Sequence, residues 1–456
     1  MYKSLFFLLL LTLSVYSDEE IIVHLSNQAR LSSLYVHPIE DIQSGFDVDY
    51  LKALEKVLKF DLNHNGKSEL IQNSNDCEKQ ANHEKGLWKF EQEKWQKLGC
   101  DYVVKFAISN HQITTTFFSV RNNSTKAIDP LKLNGQLKDD RRVLHSIADA
   151  IQETCFGEQG ICQTHILYTI RTQVGPTSSN WITEVWESDY DGANAHQITH
   201  HNGLCVNPTY IPAKIGEKCL NLLYVSYEKG QPKIYMTSSN RDEPKRLTYM
   251  RGSQLMPVIS RQIDQIAFVS DITGNPDLFV QDFSPKKGLM GKPKQVFSTP
   301  QGVQGTPTFS PDGKQLAFVS NKDGTPRIYV ITIPKAGASV REIRSQLISK
   351  KNRGNTAPAW SPDGTKIAYS ATVSGVRQIY IYDFITEQET SLTNGYGHKE
   401  NPAWAPDSLH LIFNSSTEES SELFLINLNQ KKAVKITSGP GEKRFPAWEP
   451  NTMRRV

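Results

Sequence analysis

PTFSPDGKQLAFVS from Pro307, PAWSPDGTKIAYS from Pro358 and PAWAPDSLHLIFNS from Pro402 are three copies of one pattern. A fourth copy, PVISRQIDQIAFVS from Pro257, keeps the strands and has lost the Pro-Asp-Gly turn. A fifth, PTYIPAKIGEKCLNLLYVS from Pro208, carries an insertion, and a sixth, PAWEP from Pro446, stops after its first strand. The prolines are spaced by 49, 50, 51, 44 and 44 residues. Each unit continues through a second turn, as in YEKGQPKIYM, SDITGNPDLFV, NKDGTPRIYV and TVSGVRQIYIYD, and several end on Leu-Thr or Ile-Thr. Four short strands repeating at about 40–50 residues are the signature of a propeller blade.

The chemistry of the repeat supports that reading. Pro-Asp-Gly supplies a fixed φ, a side chain that bonds the turn and a residue tolerant of positive φ. The proline opens the first strand, where a missing N–H is tolerable if that strand lines the central channel. The aromatic before the turn (Phe309, Trp360, Trp404, Trp448, and Tyr210 in the irregular copy) is expected to fill the space between blades. One such ring contributes up to roughly 4–6 kcal/mol. The last unit lacks strands two to four, and HILYTIR from His165, EVWESDYDG from Glu184 and AHQIT from Ala195 are available upstream. The C-terminal strand therefore closes a six-bladed ring with no open seam.

Outward from the repeat, the expected organisation is a signal peptide (1–17), a mobile N-terminal segment (18–33), a small α/β domain (34–160) and the six-bladed β-propeller (161–456). The fold class is mainly β. Lys3, an apolar run from Leu5 to Leu11, and Val15 and Ser17 placed three and one residues before Asp18 make the signal peptide. Helical spacing over Phe46–Leu58 and Arg142–Gln152, and strand-like runs at Tyr102–Phe106 and Ile113–Val120, define the α/β domain. A net charge of +3 argues against a nucleic-acid partner, which calls for a strong basic excess. Cys77, Cys100, Cys155, Cys162, Cys205 and Cys219 suit an oxidising compartment. Six cysteines allow 15 pairings; nearest-neighbour bridges (77–100, 155–162, 205–219) are the expectation, and some free, buried thiols are the alternative.

Catalytic patterns are not found. The chain has no G-x-S-x-G elbow, no H-E-x-x-H and no complete P-loop. DLNHNGKSELIQ from Asp61 imitates a calcium loop, but Gln72 stands where the bidentate carboxylate belongs, so a turn is expected. No cofactor or metal is called for. Basic residues crowd the loops that enter the first strands: His200, His201, Arg251, Lys350, Lys351, Arg353, His398, Lys399, Lys443 and Arg444, opposed there by Glu400 and Glu442. Such a mouth focuses field on an acidic protein surface.

ESDYDGANAHQIT (Glu187–Thr199) and WQKLGCDYVV (Trp95–Val104), with the repeat order and the closing PAWEP, resemble the TolB family of periplasmic propeller proteins in the Tol–Pal envelope system. The resemblance spans nearly the whole chain. It implies a non-enzymatic periplasmic adaptor for outer-membrane integrity and invagination during cell division. The propeller mouth would bind a Pal-like peptidoglycan-associated lipoprotein, and the N-terminal tail a TolA-like inner-membrane protein. Partner contacts are expected at Arg251, Ser253, Leu255, Met256, Gly305, Thr306, Arg353, Thr356, His398 and Lys399. In the tail they are expected at Glu20, Ile21, Ile22 and Val23, where the match is loose. The alternatives are a propeller enzyme with a metal-dependent site in its channel, and the propeller half of a peptidase. The channel enzyme would need carboxylates or imidazoles converging from several first strands.

Overall fold

The computed structural model describes residues 30–450 apart from 73, 176–178, 214–218, 220, 241, 335–342 and 431. The expected signal peptide and the tail residues Glu20, Ile21, Ile22 and Val23 lie outside the described residues.

Six four-stranded antiparallel sheets form the propeller. Their inner strands are Cys205–Tyr210, Gln254–Ile259, Gln304–Phe309, Arg353–Trp360, His398–Trp404 and Glu442–Trp448, heading blades 1 to 6. The last is followed in its sheet by His165–Gln173, Trp181–Asp189 and His196–Gln197, so the C-terminal strand closes the ring as the repeat count requires. Glu442 pairs with Arg171 and Trp448 with Ile166.

The recurrent residues have defined work. In the turn from Ser361, Gly364 holds φ 78 and Asp363 Oδ1 accepts from the Thr365 amide at 2.9 Å. Blade 2 lacks this turn, and there Ile263 occupies the left-handed region at φ 61, a strained setting for a β-branched residue. The recurrent threonine bonds the third strand: Thr393 Oγ1 accepts from the Ile379 amide at 2.9 Å and Thr437 Oγ1 from the Leu423 amide at 2.8 Å. Thr199, Thr248 and Ser349 repeat the contact in blades 6, 1 and 3. Thr393→Val keeps shape and strands a buried N–H, so a loss of about 1–3 kcal/mol is expected in denaturant unfolding. The aromatics do bridge blades: Trp404 Nε1 donates to Ala359 O at 3.0 Å and the Tyr210 hydroxyl to Glu187 Oε1 at 2.7 Å.

The prolines do not open their strands. Each stands in mid-strand, just after a residue with positive φ: Asn207, Met256, Thr306, Ala357, Asn401 and Phe445, at 51, 53, 41, 50, 54 and 53°. The strand register shifts at this bulge in every blade. A proline is tolerated there because the bulge needs no ladder donor.

The N-terminal domain sets β1 (Ser32–Val36), β2 (Glu40–Asp41), β3 (Ser68–Leu70), β4 (Tyr102–Ser109), β5 (Gln112–Ser119) and β6 (Ser124–Lys132) in one sheet, ordered β3-β1-β4-β5-β6 with β2 on β4. Helices α1 (Val48–Asn63), α2 (Asn75–His83), α3 (Gln92–Lys97) and α4 (Leu137–Phe156) accompany it. Ser32 and Ser33, within the segment expected to be mobile, pair with Ser68 and Glu69 in the sheet. The calcium-loop imitation is a turn: Asn65 Oδ1 accepts from the Lys67 and Ser68 amides, both at 2.9 Å.

None of the three expected disulfides is formed, and Cys77, Cys100, Cys155, Cys162, Cys205 and Cys219 are free thiols. Their sulfurs have other partners. Cys100 Sγ donates to Tyr102 O at 2.9 Å, Cys162 Sγ lies 3.6 Å from the Tyr190 hydroxyl, and Cys219 Sγ accepts from the Ala213 amide at 3.3 Å. Burial pushes the Cys100, Cys205 and Cys219 thiols up to about 12, so they pack as small apolar groups.

The two domains meet on the segment that carries the resemblance. Asp61 of α1 accepts from the Tyr190 hydroxyl and from His145 Nδ1 of α4, both at 2.7 Å. Arg141 pairs with Asp189 and Asp191, and Asn194 Nδ2 donates to Lys138 O at 3.0 Å. At blade 5, Asn429 Nδ2 donates to Gly66 O at 2.8 Å and His410 Nε2 to His64 O at 2.8 Å.

Candidate functional site

All six inner strands begin at the same end of the channel and lie side by side around it. The loops entering them and the turns joining second to third strands gather at that mouth. Arg251, Ser253, Leu255, Met256, Gly305, Thr306, Arg353, Thr356 and His398 are brought together there. Arg251, Arg353 and His398 are exposed and the others half-buried. The Met256 sulfur accepts from the Thr306 amide at 3.1 Å, which links two left-handed residues across the channel wall.

Lys399 and Lys443 do not belong to this surface. Both are buried, and Lys443 Nζ bonds Gly439 O at 2.5 Å and Glu422 Oε1 at 3.1 Å, while Lys399 Nζ donates to Tyr396 O. Gln254, Gln304 and Asn355 stand at the same place, three residues before the blade proline, and bond the carbonyls of Gly252, Gly302 and Asn352. A buried donor at this position pins the entry loop, and lysine serves as well as an amide. Lys233 does the same from a third strand, bonding Met250 O at 2.7 Å, and burial holds its pKa below the usual lysine range.

The positive field is also smaller than the loops alone suggest. Glu389 accepts the Lys350 amide at 2.8 Å, and its backbone oxygen takes Lys351 Nζ at 2.6 Å. Glu400 pairs with Arg377, Glu442 with Arg444 at 3.2 Å, and Glu228 with His201 at 3.1 Å. The exposed cations are chiefly Arg251, Lys350 and Arg353.

What the loops present instead is apolar surface. Leu204, Tyr249, Val303 and Tyr396 stand exposed in entry loops, Val174 and Ile272 in second-to-third strand turns, and Trp181 at the start of a third strand, all at this mouth. Tyr249 is 76% exposed and Tyr396 60%. The Arg246 guanidinium lies 5.0 Å from the Tyr249 ring and Arg171 4.3 Å from Trp181. Exposed Tyr and Trp beside Arg is the composition of interface hot spots. None of these aromatic positions came from the sequence reading, which looked for charge. The available signal was large apolar residues standing where blade alignment puts loops.

Further down the channel the wall is Thr209, Val258, Thr308, Ala359, Ala403 and Ala447. The far end is a cavity of about 230 Å³ ringed by Pro212, Pro311, Pro362, Pro406 and Pro450. These side chains offer neither a general base nor a metal ligand. Among the described residues, the trio of ligand atoms closest together is Asp61, His145 and Asp191, at the domain junction and away from the channel.

A family model described as TolB beta propeller domain matches residues 152–347 and 340–454. A TolB homolog of Protochlamydia amoebophila is 48% identical over 388 residues, 84% of this chain and 82% of that protein. One of Chlamydia caviae is 42% identical over 266 residues, 58% of this chain and 60% of that protein. The crystal structure of TolB from Acinetobacter baumannii superimposes with a TM-score of 0.73 at 20% identity, covering 94% of this chain and all of that one, which shows a shared fold.

Proposed function

The chain belongs to the TolB family, and from that premise we propose that it is a non-enzymatic periplasmic binding protein of the Tol–Pal system. In this reading the mouth holds a Pal-like peptidoglycan-associated lipoprotein, and the N-terminal tail reaches a TolA-like inner-membrane protein. The two contacts together link the outer membrane to the inner membrane for envelope integrity and division. The observation that carries the reading is the apolar and arginine-bearing rim of Tyr249, Tyr396, Val303, Trp181 and Arg251 around one end of the channel. Docking there buries aromatic surface without a large rearrangement, because pinned entry loops present it already ordered. The channel wall of Thr, Val and Ala supports binding over catalysis.

The test is a calorimetric titration of the soluble domain of the cognate lipoprotein into the full chain. Saturable binding of one lipoprotein per chain is expected. A folded chain that takes up none overturns the reading.

A further inference from the structure

SPKKGLMGKPKQVF (Ser284–Phe297) lies in blade 2 and departs from the other outer strands. The fourth strands of the other blades are His196–Gln197, Lys245–Arg246, Gln346–Leu347, Gln388–Ser391 and Val434–Lys435, two to four residues long. In blade 2 the fourth strand is Gly288–Phe297, ten residues paired along Asp277–Ser284. The extension carries Lys286 and Lys287 in the hairpin turn and Lys292 and Lys294 in the strand, all exposed. Asp282 is the one exposed carboxylate of the hairpin, and among the described residues none of these lysines is ion-paired.

The hairpin is held in place from below. Leu289 packs into the core that blades 1 and 2 share, with Leu247 and Phe283. Gly288 lies so close to blade 1 that a Cβ there would sit 3.4 Å from Leu247 Cδ1. The register shifts beyond Met290, and there the buried Gln281 Nε2 donates to Gly291 O at 2.8 Å. Strands alternate in direction within a blade, so the Pro285–Lys287 turn is at the end of the propeller opposite the mouth. The N-terminal domain docks at that end too, but on blades 5 and 6.

Composition separates this surface from the mouth. The mouth joins Tyr, Trp and Arg, groups that anchor a fitted, desolvated protein interface. From Ser284 to Lys294 the hairpin has neither arginine nor an aromatic ring. Its lysines are hydrated point charges on flexible stems, which lose hydration in a fitted interface but keep it beside a diffuse layer of negative headgroups. Clustered lysines near an anionic leaflet add their attractions as long as they lie within a Debye length of it.

We propose that the blade 2 hairpin is a docking surface for an anionic phospholipid bilayer, held through Lys286, Lys287, Lys292 and Lys294. The contact is peripheral and electrostatic, and it leaves the mouth at the other end of the propeller free for a protein partner.

The test is co-sedimentation of the full chain with vesicles of phosphatidylcholine alone and of phosphatidylcholine mixed with phosphatidylglycerol. Binding to the mixed vesicles, none to the neutral ones, and release by added salt are expected. Each lysine near an anionic surface changes binding roughly fivefold, so Lys286→Gln, Lys287→Gln, Lys292→Gln and Lys294→Gln combined should lower it about 100-fold or more. Lys52→Gln, Lys79→Gln, Lys85→Gln and Lys126→Gln combined make the same charge change on the N-terminal domain and should leave vesicle binding nearly intact. All these side chains are exposed, and thermal melting checks that both variants fold. The lipoprotein titration should be the same for the hairpin variant as for the parent chain. A folded chain that stays off the phosphatidylglycerol vesicles overturns the proposal, as does vesicle binding unchanged in the hairpin variant. Lipoprotein binding that depends on these lysines, with no vesicle binding, also overturns it and assigns the hairpin to a protein partner.

Discussion

A chain that stops at Pro440 is expected to lose its cooperative fold, giving a species that is rapidly proteolysed and prone to associate. The deletion removes the strand Glu442–Trp448 and leaves the edge of His165–Gln173 open along its whole pairing with it. It also uncovers Ile166, Tyr168, Tyr190, Leu423 and Ile436, which share a core with Trp448 and with the helices of the N-terminal domain. Seam and domain junction fail together. The single substitution Trp448→Ala samples the same region more gently. Trp448 is buried and its Nε1 donates to Thr164 Oγ1 at 2.8 Å. Its truncation is expected to cost about 3–5 kcal/mol, a large share of the roughly 5–15 kcal/mol typical of a folded protein. Trp448→Phe should recover most of that. Unfolding midpoints that hardly move in Trp448→Ala would mean the seam is not where the ring is held.

Gly192→Ala should destabilise by about 3 kcal/mol or more. Gly192 lies in the Asp-Tyr-Asp-Gly turn at φ 84, and a Cβ there would sit 1.8 Å from the carbonyl oxygen of Ile436 and 2.7 Å from its carbon. The obstacle is backbone, so a rotamer change cannot relieve it. The left-handed region alone costs a side chain about 1–2 kcal/mol, and forced overpacking a further 1–3 kcal/mol. Gly230→Ala supplies the control. It has the same φ of 84 with nothing within 4 Å, so only the first term applies. Urea unfolding of both variants separates the contact from the dihedral, and equal losses would discard the contact. Because this turn also presents Asp189, Asp191 and Asn194 to α4, the Gly192 variant should loosen the domain junction as well.

The blades were legible because the same local chemistry recurs in register: an aromatic, a Pro-Asp-Gly turn, a strand, and a threonine that satisfies a buried amide. Closure followed from counting strands, since PAWEP has nowhere to pair except with His165–Gln173. The left-handed residue before each proline was not legible, because Met256, Thr306, Ala357 and Phe445 are not residue types that signal positive φ. Lys399 and Lys443 misled for a related reason. Lysine in a loop reads as rim charge, and only alignment with Gln254, Gln304 and Asn355 shows it to be a pinning donor. The cysteine count carried no information on which sulfurs face each other. The junction was half visible. The SDYDG segment (Ser188–Gly192) was recognised as distinctive, but its partners Asp61, Arg141 and His145 come from two separate helices that only the fold brings to it.

The most direct test of the binding mouth is the lipoprotein titration repeated with Tyr249→Ala, Val303→Ser and Tyr396→Ala combined. All three side chains are exposed, so the fold should be retained. Loss of two aromatic anchors at about 1–2 kcal/mol each predicts affinity lowered roughly 100-fold with unchanged stoichiometry. Affinity equal to that of the parent chain would contradict the account, placing the partner elsewhere on the molecule.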